Sequence, residues 1–72
     1  MYQAMHLKFS QDEKLKGFLL STSGNRLIEA SATDKFWGVG LSLRNPDLFK
    51  ETKWTGKNLA GQMLERVRQE LM

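Results

Sequence analysis

Asp34 stands three residues before Trp37 in the run Asp34-Lys35-Phe36-Trp37-Gly38-Val39-Gly40, with Glu29 five residues upstream. A carboxylate beside an indole suits a particular chemistry. The apolar neighbour desolvates the acid, and the aromatic face stacks on a base or steadies a cation. Cleavage of a glycosidic bond passes through an oxocarbenium-like centre, which needs a carboxylate to stabilise its charge or to direct a water. A plainer assignment stands beside this one: Asp34 caps a short turn through Phe36, and Trp37 fills a core. On composition alone the plainer assignment is the favoured one.

Gly56-Lys57-Asn58 forms a second candidate, because it leads into a helical pattern. Exposed N–H groups and the dipole at a helix start favour an anion, and Gly61 permits close approach, so a phosphate or carboxylate fits there. The alternative is an Asn58 cap with Gly61 serving helix packing. Trp54 divides in the same way between stacking platform and core plug. Two better-known phosphate motifs are excluded. Gly38 and Gly40 lack the third glycine of a dinucleotide fingerprint, where Leu43 stands, and no helix pattern follows. Gly56-Lys57 lacks the rest of a Walker loop, with Asn58 in place of Ser or Thr and Glu51 in place of the first Gly.

The chain has no Cys and one His, His6. That excludes a disulfide framework, a thiolate metal site and hydrolysis by a Ser-His-Asp or Cys-His pair. No metal and no cofactor is expected. His6 reads as a surface or half-buried helical residue, and Met1, Met5, Met63 and Met72 as core or interface fillers.

The elements that position these residues follow from apolar spacing. Met1, Ala4, Met5 and Phe9 recur helically, so the chain opens inside a helix with no start signal, as a cut end would. Ser10 with Glu13 makes a capping box for a second helix carrying Leu15, Phe18 and Leu19, slightly weakened by Gly17. A turn cluster at residues 21–25 precedes a short strand at 26–30, and residues 41–43 are able to pair with it as a hairpin. Residues 31–57 lose all periodicity, yet their two Trp and two Phe argue against disorder. Asn58 caps a last helix with Ala60, Met63, Leu64, Val67 and Leu71 on one face, and with Glu65–Arg68 and Arg66–Glu70 as surface pairs. The fold class expected is mainly α: two N-terminal helices, a short strand or hairpin with a long loop, and a C-terminal helix.

A 72-residue chain buries a smaller fraction of its surface than a mid-sized enzyme does, and without disulfide or metal it needs association or unusually good packing. Its net charge of +3 is a mild basic bias, compatible with phosphate-bearing ligands or nucleic acid. No apolar run approaches the roughly 18 residues that span a bilayer, and no signal peptide is evident, so no membrane association and a cytoplasmic location are expected.

In order, the chain reads K-F at 8–9, L-L-S-T-S-G at 19–24, L-I-E-A-S at 27–31, D-K-F-W-G-V-G at 34–40, W-T-G-K-N-L-A-G at 54–61 and V-R-Q-E-L at 67–71. This succession resembles the C-terminal half of the NADAR family, also called YbiA-like, over nearly the whole chain. The combination D-x-x-W-G-x-G, W-x-G-x-N-x-x-G and V-R-x-x-L is specific, although each block alone is weak. The resemblance implies half of a multihelical fold, with residues 1–72 as its C-terminal portion. It also implies N-glycosidase activity on ribosyl-phosphate or ADP-ribose type substrates. These include phosphorylated riboflavin-pathway intermediates and, in some members, ADP-ribosylated guanine in nucleic acid. By position Asp34 matches the family's active-site aspartate. Glu29, Trp37, Gly38, Trp54, Asn58 and Gly61 match substrate-binding blocks.

The departures are Ala60 where the family often has Leu, the Met63–Leu64 order and, above all, length. Members are about twice as long, and their N-terminal half supplies an active-site glutamate and a tryptophan. The expectation is therefore a fragment, inactive alone, with a complementary N-terminal half or a second copy as partner. It should carry an exposed apolar docking face, first on Met1, Met5 and Phe9. The alternative is a noncatalytic protein-interaction or self-associating module derived from the same fold. Sequence-independent nucleic-acid binding through Lys, Arg and the two Trp ranks below both.

Overall fold

The computed structural model describes residues 2–72. Its elements are α1 (Tyr2–Gln11), α2 (Glu13–Ser21), a single 3-10 turn η1 (Glu51–Lys53) and α3 (Leu59–Leu71). The chain divides into two compact units, Met1–Arg26 with Met63–Met72, and Leu27–Gln62. The class is mainly α, as the periodicity implies. Among the described residues no strand forms, which corrects the expected strand at 26–30 and the hairpin with 41–43.

In the first unit α1 packs on α2. The boundary between them lies at Asp12, whose Oδ1 accepts from Lys14 N (3.0 Å) and Leu15 N (3.1 Å). Such a cap satisfies two N–H groups that no intrahelical carbonyl can reach. The expected Ser10 cap is thereby corrected. α1 runs on to Gln11, and the Ser10 hydroxyl donates back to Leu7 O within it (3.0 Å). Leu19 and Val67 are the buried apolar side chains of this unit. The C-terminal end of α2 is tied down by Arg68, whose Nη1 donates to Thr22 O (2.8 Å) and Thr22 Oγ1 (3.1 Å). Glu65 pairs with Arg26 (3.4 Å) and Arg66 with Glu70 (3.8 Å), so the second expected surface pair forms and Glu65 finds a partner outside its own helix. His6 is half-buried, with its ring 6.1 Å from that of Tyr2 and Nε2 3.9 Å from Glu70 Oε1.

The residues expected to form an apolar docking face are not the most exposed ones of this unit. Met5 and Phe9 are half-buried, and Met1 lies outside the described residues. The large apolar side chains left exposed here are Leu7 (55%) and Phe18 (72%), together with Met72. Among the described residues no helix is long and apolar enough to cross a membrane.

The second unit has no layers and almost no regular structure. Its core is Val39, Leu48 and Ala60, with the fully buried polar side chain of Asn58 among them. Backbone hydrogen bonds between short non-repeating segments hold it together, and these decide where the candidate site residues stand.

Candidate active site

The site begins with a turn. Asp34 Oδ1 accepts from Phe36 N (3.0 Å) and Trp37 N (2.8 Å), and Asp34 N donates to Ser31 Oγ (3.0 Å). This is the capping geometry that an Asp two and three residues ahead of the donors adopts readily. The second oxygen, Oδ2, takes no part in the cap. Thus Asp34 does cap the turn, and its carboxylate keeps one oxygen for other work. Phe36 and Trp37 meet edge to face, with ring centroids 4.9 Å apart and planes at 89°. Trp37 is half-buried and Phe36 is 50% exposed.

The turn is clamped from the helix side. Lys57 N donates to Lys35 O (2.8 Å), Asn58 N to Gly38 O (2.9 Å), Leu59 N to Phe36 O (3.2 Å) and Ala60 N to Trp37 O (2.9 Å). Thr55 N and Gly56 N both donate to Val39 O (3.0 and 2.8 Å). The start of α3 is therefore capped by carbonyls of the 34–38 segment. Its Leu59 and Ala60 N–H groups do not point at an open anion site, as the sequence left possible.

Asn58 stands immediately before α3, but not as a side-chain cap for it. Its φ is +54°, a left-handed value that Asn tolerates better than most residues. Its carboxamide turns away to residues 27–29, where Oδ1 accepts from Glu29 N (2.9 Å) and Nδ2 donates to Leu27 O (2.9 Å). Gly61 completes this contact, since a Cβ there would collide with the Leu27 carbonyl. The same segment is joined to the chain following the turn by Val39 N, which donates to Glu29 O (3.0 Å). A side-chain carboxamide occupying Leu27 O and Glu29 N takes the place of a partner strand's repeating ladder, and among the described residues the expected strand does not form.

The sequence-selected residues thus divide. Asp34, Trp37 and Gly38 lie in the turn, with Gly38 buried so tightly that a Cβ would stand 2.8 Å from Asp34 O and 2.9 Å from Glu29 O. Asn58 and Gly61 hold residues 27–29 against the start of α3. Glu29 is exposed, with both backbone polar groups used in the clamp. Trp54 is half-buried, and its indole N–H donates to Leu48 O (2.7 Å), which favours the plug over the platform. Two residues from separate motif blocks meet at the exposed edge of the turn: Phe36, and Lys57 of the Gly56-Lys57-Asn58 candidate, with Nζ 5.6 Å from the Phe36 ring centroid. Both belong to the motif blocks, but no spacing rule links 36 to 57. Among the described residues no group of His, Asp and Glu is placed to hold a metal.

The model of the NADAR domain family matches residues 1–72. The chain belongs to the NADAR family, which the D-x-x-W-G-x-G and W-x-G-x-N-x-x-G blocks already resemble. It is 45% identical over 71 residues to Protein irg-1 of Caenorhabditis elegans, covering 99% of this chain and 34% of that protein. It is 45% identical over 64 residues to N-glycosidase R617 of Acanthamoeba polyphaga mimivirus, covering 89% and 38%. With the chloroplastic Riboflavin biosynthesis protein PYRR of Arabidopsis thaliana it shares 39% over 72 residues, covering 100% and 10%. The chain thus spans about a third of the first two relatives and a tenth of the third. No solved structure matches it.

Proposed function

We propose that this chain forms one wall of a NADAR N-glycosidase active site acting on ribosyl-phosphate or ADP-ribose type substrates, phosphorylated intermediates of riboflavin biosynthesis among them. The observation that carries this is the turn at 34–37. Asp34 fixes the turn with Oδ1, keeps Oδ2 outside the cap, and stands beside Trp37 and a half-exposed Phe36. The names of R617 and PYRR support the reaction and the substrate class respectively.

In this reading the bond between the ribose anomeric carbon and the base nitrogen breaks. Water supplies the oxygen to that carbon and a proton to the departing nitrogen. The Asp34 carboxylate stabilises positive charge as it develops on the sugar, and the aromatic wall keeps the centre dry. Trp37, Gly38 and Glu29 line or shape the substrate's approach, and Trp54, Asn58 and Gly61 hold the wall in place. The chain is the C-terminal portion of the domain, works in the cytoplasm, and is inactive until a complementary N-terminal portion completes the pocket. Modified guanine in nucleic acid belongs to the same substrate class.

The test is base release from a ribosylamine 5-phosphate and from ADP-ribosylated guanosine, using the chain mixed with an N-terminal NADAR half. Hydrolysis by the mixture that is lost in Asp34→Asn supports the proposal, because Asn keeps a capping oxygen and removes the charge. Hydrolysis unaffected by Asp34→Asn, or none in the mixture, refutes it.

A second reading has its own observation. Leu7 and Phe18 in the first unit, and Leu43 (78%) and Phe49 (85%) in the second, expose much apolar surface for so short a chain. That suits a noncatalytic module which binds a partner or a second copy of itself. Light scattering that finds a strict monomer, together with calorimetric binding of ADP-ribose, would count against it.

A further inference from the structure

We infer that Lys57 is the specificity-determining residue of this wall, meeting the phosphate of a ribosyl-phosphate substrate from its seat on the Phe36 ring. The inference rests on the reading above, that the turn at 34–37 faces substrate. Lys57 is exposed, but it is not a freely sweeping side chain. Its N–H is held by Lys35 O (2.8 Å), and its carbonyl accepts from Gln62 Nε2 (2.7 Å), so the root of the side chain is fixed on both sides. Its ammonium lies over the face of Phe36, an attraction that orients a cation without neutralising it.

Within the unit Lys35, Arg44, Lys53 and Lys57 stand outside any ion pair among the described residues, and it is the seat on Phe36 that sets Lys57 apart. Lys50 is matched by Asp47 at 3.2 Å, whereas among the described residues no carboxylate lies within 4.0 Å of the Lys57 ammonium. The same turn presents Asp34, and an anionic substrate approaching a lone carboxylate is repelled unless a cation stands near. The start of α3 does not supply that compensation, because its Leu59 and Ala60 N–H groups already serve Phe36 O and Trp37 O. In the block Gly56-Lys57-Asn58, the ammonium is the group in place to take the anion. Phe36 connects it to the carboxylate: its N–H is bound by Asp34 and its ring carries Lys57. Carboxylate and ammonium are thus joined through one aromatic residue, an order that suits an anomeric centre, a sugar face and a 5-phosphate.

The experiment is an NMR titration of the isotope-labelled chain with ribose 5-phosphate and, in parallel, with ribose. Each is repeated for Lys57→Met, which keeps the length of the side chain, and Lys57→Arg, which keeps the charge. The expected result is a preference of about tenfold to a hundredfold for the phosphate ester, the range of one charge-assisted hydrogen bond. Lys57→Met abolishes the preference and Lys57→Arg retains part of it. Shifts should centre on the Phe36, Trp37 and Lys57 amides, and unchanged Asn58 side-chain amide signals report an intact fold. No preference in the wild-type chain, or a preference that survives Lys57→Met, overturns the inference. Its failure is distinguishable from failure of the glycosidase reading. Hydrolysis that depends on Asp34 but is indifferent to Lys57 removes this inference alone, while Lys57-dependent binding without hydrolysis by the completed domain removes the other.

Discussion

The Asn58 side chain ties residues 27–29 to the start of α3, and substituting it gives a graded test. The side chain is 1% exposed, its carboxamide makes two hydrogen bonds of 2.9 Å to residues 27 and 29, and its backbone has φ of +54°. Asn58→Gly keeps the backbone geometry at no steric cost and deletes both bonds. Each bond is worth about 1 kcal/mol net, and a buried partner left unsatisfied adds about 1–3 kcal/mol, so a loss of roughly 3–5 kcal/mol is expected. Asn58→Ala adds the left-handed penalty of about 1–2 kcal/mol. A domain of this size holds only about 4–11 kcal/mol in total, so the alanine variant sits near the edge of folding. Asn58→Asp is the sharpest member of the series. Its Oδ1 still accepts from Glu29 N, but the other oxygen now faces the Leu27 carbonyl that Nδ2 used to serve.

For that aspartate, burial and repulsion favour the neutral acid in the folded state, so its folded pKa lies above the unfolded value of about 3.9. Below the unfolded value both states are protonated, and the hydroxyl can donate to Leu27 O. As pH rises past it, the unfolded chain loses the proton first and stability falls, by up to about 1.4 kcal/mol per pH unit, until the folded pKa is passed. Urea denaturation followed by the fluorescence of Trp37 and Trp54, which both lie in the same unit, reads this directly. Relative to wild type, Asn58→Asp should be near-normal in acid and severely destabilised at neutral pH. A flat pH dependence of the difference, or a cost below about 0.5 kcal/mol for Asn58→Gly, would show that the carboxamide does not hold residues 27–29.

Three further outcomes follow from the same geometry. Gly61→Ala drives a Cβ into the Leu27 carbonyl, so it should cost at least about 1–3 kcal/mol by overpacking, although alanine is the better helix former; thermal denaturation checks this. Asp12→Ala removes the cap of α2 and should cost about 1 kcal/mol, while Ser10→Ala should cost a few tenths at most, with urea midpoints deciding between the two caps. Trp54→Phe deletes the N–H that serves Leu48 O and should lower stability by about 1–2 kcal/mol without changing ribose 5-phosphate binding, which would be lost as well if the indole were a stacking platform.

What the sequence made legible follows from the range of each signal. α3 was readable because its determinant is local: Ala60, Met63, Leu64, Val67 and Leu71 repeat at helical spacing, and Ala60 and Val67 are buried. The start of α2 was misread by two residues because Ser10 and Asp12 are both capping types. What decides between them is how far α1 continues, and that depends on packing rather than on residue type. The strand at 26–30 failed for a different reason. Leu27 and Ile28 have strand propensity, but propensity says nothing about partners, and the partner here is a side chain 29 to 31 residues away. Phe36 and Lys57 were missed as a pair because a cation–π contact over 21 residues leaves no periodic trace.

The two motif blocks that carry the family resemblance turn out to be the two faces of one clamp, and this changes what their residues can be asked to do. In W-T-G-K-N-L-A-G, the backbone of positions 55–60 donates six hydrogen bonds to carbonyls of the D-K-F-W-G-V-G block. The glycine at 61 clears room for the Leu27 carbonyl, and the asparagine at 58 spends its carboxamide on residues 27–29. Most of the motif is therefore occupied in building a rigid wall out of irregular backbone. Rigidity is what a charged transition state demands of its surroundings, since a carboxylate that must reorganise during the reaction stabilises it less. The side-chain groups of the two blocks that then remain for a ligand include Asp34 Oδ2, the Lys35 and Lys57 ammonium groups, the Phe36 ring and the open part of Trp37. On the proposed function, these are the groups that would meet the substrate.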